Sequence, residues 1–338
     1  MSRQINVGVI GCGRIGRIHA ENLATRLPEA KLVAVADVAA PAARELGSRL
    51  HVSNVATDYR ELLRDPAIDA VVICSSTDTH STIIQEAAAA GKQIFCEKPI
   101  DYDLARIHTA LAAVEKAGVN LQIGFNRRFD PSFAKVRDTV ASGAIGKPHV
   151  LRITSRDPGP PPLDYIKVSG GIFLDMTIHD FDMVRFLSGS EAEEVYAVGD
   201  ALVDQAIHEA GDVDTAITTL RLASGALATI DNSRRAVYGY DQRVEVFGSA
   251  GSVSAENRTP DAHVIMDQAG VHRAKPLNFF LERYGEAYVI ELRAFIQALL
   301  RGQTPLVTGN DGLQPVRMAL AAARSLCEGR PVKLAEIG

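Results

Sequence analysis

A two-domain α/β chain is expected: an N-terminal doubly wound parallel sheet over residues 1–124, and a C-terminal α+β domain over residues 125–338 built on an open, mostly antiparallel sheet. Three observations lead there. Short apolar runs alternate with helical stretches up to Gly124, a glycine-rich turn follows the first run directly, and beyond Gly124 strand-length pieces are joined by short turns such as Ser224-Gly225. At 338 residues the chain also exceeds the size at which one hydrophobic core stops growing, so two domains sharing a cleft are anticipated.

In the first domain the expected strands are Ile5 to Ile10, Leu32 to Ala36, Ala70 to Cys74, Gln93 to Cys96 and Leu121 to Gly124. Between them, Ser81 to Ala90 and Leu104 to Ala117 are rich in Ala, Leu and Glu and read as crossover helices, the second stopped by Gly118. In the second domain a helix is expected over Pro131 to Ala141 and a strand near His149 to Thr154. Pro158, Pro160, Pro161 and Pro162 then exclude regular structure. Strands are expected at Val195 to Val203, Asp214 to Leu222, Ala226 to Ser233, Arg243 to Phe247 and Ser252 to Ala255. Helical patterns at Tyr284 to Arg301 and Asn310 to Glu328 end the chain, and the sequence leaves open which domain they join.

The formal net charge of -5 and the scattered Lys and Arg argue against nucleic acid or a membrane as partner and for a small molecule. No apolar run reaches membrane length, and Met1-Ser2-Arg3-Gln4 leads straight into a strand, so a cytoplasmic protein is expected. The four cysteines, Cys12, Cys74, Cys96 and Cys327, form no CxxC pair and read as reduced thiols.

Directly after the first strand stands Gly11-Cys12-Gly13-Arg14-Ile15-Gly16. Gly11 suits the tight turn, Gly13 lets a pyrophosphate approach the backbone, and Gly16 allows helix and strand to pack closely. The N–H groups at Arg14 to Gly16 then face the phosphates with the helix dipole behind them. This is the Rossmann dinucleotide fingerprint. Asp37 ends the second strand 21 residues beyond Gly16, where a carboxylate accepts from the adenosine ribose hydroxyls and repels a 2'-phosphate. NAD is therefore the expected cofactor.

Two further constellations carry chemistry. Glu97-Lys98-Pro99 follows the strand ending at Cys96, at the carboxyl edge of the sheet, where a Lys can reach the nicotinamide end of the cofactor and stabilise a developing alkoxide. In Gly170-Gly171-Ile172-Phe173-Leu174-Asp175-Met176-Thr177-Ile178-His179-Asp180-Phe181-Asp182, one helix from about Ile172 to Leu187 is expected, with Asp175 and His179 one turn apart on a shared face. An imidazole, with a reference pKa of about 6.5, suits removal of a hydroxyl proton as hydride departs. Asp180 and Asp182 compete with Asp175 for the carboxylate role, and spacing favours Asp175. The histidines form no HExxH or clustered ligand pattern, so no catalytic metal is expected, and no GxSxG elbow points to a hydrolase.

GCGRIG, EKP and SGGIFLDMTIHDFDMVRF together resemble the oxidoreductase family that includes glucose-fructose oxidoreductase and inositol dehydrogenase. The last segment is especially similar to the inositol 2-dehydrogenase branch, and the resemblance extends to GFNRRFD at Gly124 to Asp130 and FFLERY at Phe279 to Tyr284. It implies a Rossmann domain followed by an open-sheet domain whose outer face serves oligomer contacts, commonly in a tetramer, and a Lys-Pro peptide that is often cis. It also implies a catalytic triad of Lys98, Asp175 and His179 and oxidation of myo-inositol to 2-keto-myo-inositol with NAD.

The cofactor site expected on this basis comprises Gly11, Gly13, Arg14, Ile15, Asp37, Ser75, Ser76, Thr77, His80, Glu97 and Lys98. The expected substrate site comprises Lys98, Arg127, Asp157, Asp175, His179, Tyr238 and Tyr284; of these Arg127, Asp157, Tyr238 and Tyr284, together with Arg156, fall in loops anticipated to face the cleft. The proline-rich stretch Arg156 to Pro162 departs from the loop expected of an inositol enzyme and leaves the preferred isomer open. Another inositol isomer or sugar, or a non-catalytic NAD-binding regulator, are the alternative readings.

Overall fold

The computed structural model describes residues 4–338, so the first three residues of the leaderless start expected above lie outside the described residues. The chain divides into two compact units, one formed by the chain up to Asn126 together with Glu286–Gln314, the other by Arg127–Gly285 and Pro315–Gly338.

In the first unit six strands form one sheet: β1 (Ile5–Ile10), β2 (Ala30–Ala36), β3 (Asn54–Ala56), β4 (Ala70–Ile73), β5 (Gln93–Glu97) and β6 (Leu121–Gly124). Their order is β3-β2-β1-β4-β5-β6, and every pairing is parallel. Helices cover both faces of such a sheet, which is why the strands read as unbroken apolar runs; Val71, Val72 and Ile73 are all fully buried. Helix Leu104–Ala117 starts at Asp103, whose carboxylate accepts from Ala105 N and Arg106 N, and stops at Gly118 in the left-handed conformation, φ 65°.

The second unit holds β7 (Pro148–Arg156), β8 (Ala192–Asp200), β9 (Thr215–Leu222), β10 (Leu227–Ser233), β11 (Asp241–Gly248), β12 (Gly251–Ala255), a separate hairpin of β13 (Val264–Asp267) and β14 (Gly270–Arg273), and β15 (Val332–Lys333). Seven of these form a sheet in the order β12-β11-β7-β10-β9-β8-β15. Only the β7–β10 pair is parallel, so the sheet is mostly antiparallel as expected. Burial alternates along β9, with Ala216, Thr218, Leu220 and Leu222 inward and Ile217, Thr219 and Arg221 outward. That alternation marks a sheet with one covered face. Helices Pro131–Ala141 and Ile178–Ser188 pack on the sheet.

The packing corrects a single division at residue 125. Helix Gly285–Arg301 sends Leu292, Phe295 and Ile296, all fully buried, into the core formed by Val7, Leu23, Val35, Val72 and Phe95. Its apolar stripe thus belongs to the first unit. From Pro315 onward the last helix joins the second unit, where Ser325 Oγ accepts from Ala197 N at 3.0 Å. Among the described residues no helix is long and apolar enough to cross a membrane.

Candidate functional site

In the first unit the candidate residues gather at the carboxyl ends of β1, β2, β4 and β5. Gly11 turns the chain at φ +94°, and a Cβ there would meet the Cys74 carbonyl carbon at 2.5 Å. A Cβ on Gly16 would lie 1.9 Å from Gly11 O, whereas one on Gly13 meets nothing within 4 Å. The turn is therefore closed on the protein side and open at Gly13. Gly13 supplies no side-chain cap to helix Arg14–Thr25, whose first turn contains Arg14, exposed, and Ile15, half-buried. This cradle fits a dinucleotide pyrophosphate: a backbone that can be approached closely, at the start of a 12-residue helix.

Asp37 is half-buried and binds backbone on both oxygens, accepting from Cys12 N at 2.6 Å and from Ala39 N at 2.8 Å. It therefore fixes the glycine turn to the end of β2, and a carboxylate retains further lone pairs for ribose hydroxyls. Burial first, then Asp37, pushes the Cys12 thiol up to about 12, which removes it as a nucleophile.

After β4, Ser75 and Thr79 share a hydrogen bond at 2.7 Å, Ser76 precedes helix Thr77–Ala89, and Thr77 opens it. His80 is buried, with Nδ1 2.8 Å from Pro99 O and Nε2 3.0 Å from Ser75 O. Burial pushes its pKa down, so the neutral ring donates to one of these carbonyls. His80 thus braces the β4 and β5 loops against each other. Glu97 ends β5 and receives His19 Nε2 at 2.7 Å; Lys98 is half-buried, and the Lys98–Pro99 peptide is cis.

In the second unit the expected continuous helix is two. Helix Gly171–Asp175 stops and helix Ile178–Ser188 begins, with Met176 and Thr177 between them. Thr177 N bonds Ile172 O at 2.9 Å, a five-residue spacing wider than the α-helical turn. Thr177 Oγ1 is held by Asn232 Oδ1 at 2.8 Å. Asp175 and His179 therefore flank a helix break instead of standing one regular turn apart.

Asp175 is half-buried; its Oδ1 accepts from Tyr165 Oη at 2.8 Å and its Oδ2 from Arg234 Nη1 at 3.1 Å. Arg234, 1 % exposed, also lies 3.7 Å from Asp212. His179 is half-buried. The competing carboxylates are engaged elsewhere: Asp180 pairs with Arg127 at 2.6 Å and Asn232 at 2.8 Å, and Asp182 pairs with Arg128 at 2.6 Å. Both are buried, and burial outweighs Arg127 to push the Asp180 pKa up.

The substrate residues expected to face a cleft divide. Arg127 and Tyr284 do not lie on exposed loops: they are 4 % and 2 % exposed, the guanidinium stacks over the Tyr284 ring, and Tyr284 Oη donates to Gln242 at 3.4 Å. Both side chains are thus enclosed within the second unit. Asp157 is half-buried, and its pKa is pulled up to about 6 by burial, opposed by Arg234 and reinforced by Asp175. Tyr238 is 38 % exposed, donates to Asp241 at 2.5 Å and accepts from Arg156 at 3.2 Å; Arg156 also pairs with Asp231. Sequence reasoning missed Arg234, Tyr165 and Asn232, and nothing in their local pattern distinguishes them from surface polar residues.

The architecture and these motifs match known proteins along the chain. Residues 5–125 match the model of the oxidoreductase family with NAD-binding Rossmann fold, and residues 133–254 match the GFO/IDH/MocA C-terminal domain. The chain is 54% identical to myo-inositol 2-dehydrogenase of Thermotoga maritima, covering 98% of this chain and 99% of that one. It is 49% identical to inositol 2-dehydrogenase of Rhizobium meliloti, covering 98% and 99%. The crystal structure of scyllo-inositol dehydrogenase from Lactobacillus casei with bound NAD(H) and scyllo-inositol superposes with TM-score 0.93 at 32% identity, covering 98% of this chain and 100% of that one. The chain thus belongs to the GFO/IDH/MocA oxidoreductase family and carries its NAD-binding Rossmann fold.

Proposed function

We propose that this protein is an inositol 2-dehydrogenase that oxidises the secondary hydroxyl of myo-inositol to 2-keto-myo-inositol. The observation that carries the substrate class is full-length similarity, at 54% and 49% identity, to two enzymes named for that activity. In this reading Gly11, Gly13, Arg14, Ile15 and Asp37 hold the dinucleotide, joined by Ser75, Ser76, Thr77, Glu97 and Lys98. NAD, when bound, supplies the hydride acceptor.

The protein's own residues handle the proton and the charge. His179 takes the hydroxyl proton, and the Lys98 ammonium stabilises the oxygen as negative charge grows on it. Asp175, oriented by Tyr165 and Arg234, accepts from a neighbouring substrate hydroxyl and holds the ring in place. The engagement of Asp180 and Asp182 in buried ion pairs supports this choice of carboxylate. Asp157 and Tyr238 add substrate contacts. Assay of NADH formation on myo-, scyllo- and chiro-inositol and on glucose tests the reading: turnover of myo-inositol supports it, and silence on every inositol with turnover of a sugar moves the substrate elsewhere in the family.

We also propose that copies of the chain assemble, as a tetramer, through the outer face of the seven-stranded sheet. Tyr196, Val198, Ile217, Leu227 and Phe247 leave an apolar surface there, between 37% and 49% exposed residue by residue. A monomer by light scattering contradicts this.

A further inference from the structure

Three titratable side chains meet behind the cofactor site of the first unit; Glu97 among them is placed beside the dinucleotide above, and His19 and Glu291, both buried, have no part in the chemistry proposed there. His19, on helix Arg14–Thr25, is fully buried, and its Nε2 lies 2.7 Å from Oε1 of Glu97. Glu291, on helix Gly285–Arg301, is 0% exposed, and neither of its carboxylate oxygens has a hydrogen-bonding partner. A ligand atom from each of the three lies within 4.8 Å of the others. Glu97 is the only member that keeps some access to solvent, 13% of its side chain.

Two ionised carboxylates at this spacing in a water-poor interior repel each other and lose their hydration. Glu97 has a donor in His19, whereas Glu291 has none, so the unserved carboxyl is the one to retain its proton. A divalent cation is the other means of neutralising the pair. The His19–Glu97 contact, however, is of hydrogen-bond length, and His19 Nδ1 makes no hydrogen bond of the kind that orients metal-bound imidazoles. The titratable groups around Glu291 are His19, Glu97 and Cys74, with the Tyr288 ring against His19. Gln122 of β6 binds the Glu291 backbone carbonyl at 3.0 Å. Burial and the Glu97 charge both push the Glu291 pKa well up.

We propose that Glu291 is a positioning residue: held as the neutral acid, it leaves Glu97 to accept from His19 and fix the strand end that carries Lys98. A Cβ on Gly124 would come within 3.0 Å of the Glu97 carboxylate, so this side chain lies directly over the end of β6, where Glu97 and Gly124 are register partners. Ionisation of Glu291 sets a second negative charge beside Glu97 and loosens that edge. Only the consequence for turnover rests on the role given to Lys98 above; the protonation state does not.

The test compares the denaturant unfolding of wild type and Glu291→Gln across pH. An acid whose folded pKa is raised contributes stability below its unfolded value, about 4.3, and loses it as pH rises through the folded value. The unfolding constant of wild type relative to Glu291→Gln is therefore expected to rise about tenfold per pH unit within that window. A pH-independent ratio overturns the proposal, as does one equivalent of divalent cation in the purified protein that the substitution abolishes. Should Glu291→Gln fail to fold, infrared spectra of wild type decide: an un-ionised carboxyl band persisting above neutral pH supports the proposal, and its absence overturns it. Turnover of wild type relative to Glu291→Gln is expected to fall as pH rises through the folded value of Glu291. If no polyol is turned over, the functional reading fails while the unfolding ratio still decides this one.

Discussion

Arg234, 1 % exposed, donates from Nη1 to Oδ2 of Asp175 at 3.1 Å, so a guanidinium enclosed in the second unit sets the direction of a carboxylate that is itself half-buried. This pair explains why Asp175 can serve as a fixed acceptor although the helix carrying it ends at that residue. Arg234→Met leaves Asp175 with one partner fewer in a low-dielectric setting. Stability is expected to fall by about 3 kcal/mol in denaturant titration. Turnover is expected to fall about a hundredfold through misplacement of Asp175, with NAD affinity unchanged. Arg234→Lys keeps the charge but not the planar fork, so it should recover stability more than turnover. Full activity in either variant contradicts the positioning role.

Asp157 gives a pH dependence with a definite sign. Its pKa is raised to about 6, so the folded state favours the neutral acid. Its stabilising contribution is complete below the unfolded value of about 4 and is lost as pH rises through about 6. Wild type should therefore lose about 2 kcal/mol relative to Asp157→Asn over that interval, a figure reduced for the partial exposure of the group. Parallel stability curves for the two proteins contradict the assignment.

Asp37 anchors Cys12 N and Ala39 N, and the ribose contact proposed above gives it a second task. Asp37→Ala should weaken NAD binding by roughly 10- to 100-fold in a fluorescence titration, the range for losing hydrogen bonds to a charged group. It should narrow the preference over NADP at the same time. Wild type that already favours NADP sinks this reading.

Much of the first unit was legible because a doubly wound sheet writes itself as apolar runs, and β1 and β6 fall where those runs do. β3 escaped because three residues, Asn54–Ala56, give no periodicity. The helix break at Met176-Thr177 escaped because IFLDMTIHDFDMV is helical in pattern throughout. What interrupts it is a contact between Thr177 and Asn232, 55 residues onward. The same holds for the site. Lys98, Asp175 and His179 stand out by motif, whereas the burial of Arg127 and Tyr284, and the supports Arg234, Tyr165 and Glu291, depend on tertiary neighbours that no local spacing records.

The most direct measurement is NADH formation from myo-inositol by wild type and His179→Ala, alongside NAD binding by each. Removal of the base should lower turnover about a thousandfold and leave the NAD dissociation constant nearly unchanged, because the imidazole is assigned to the substrate hydroxyl and not to the dinucleotide. Equal turnover in the two proteins would contradict His179 as the proton acceptor.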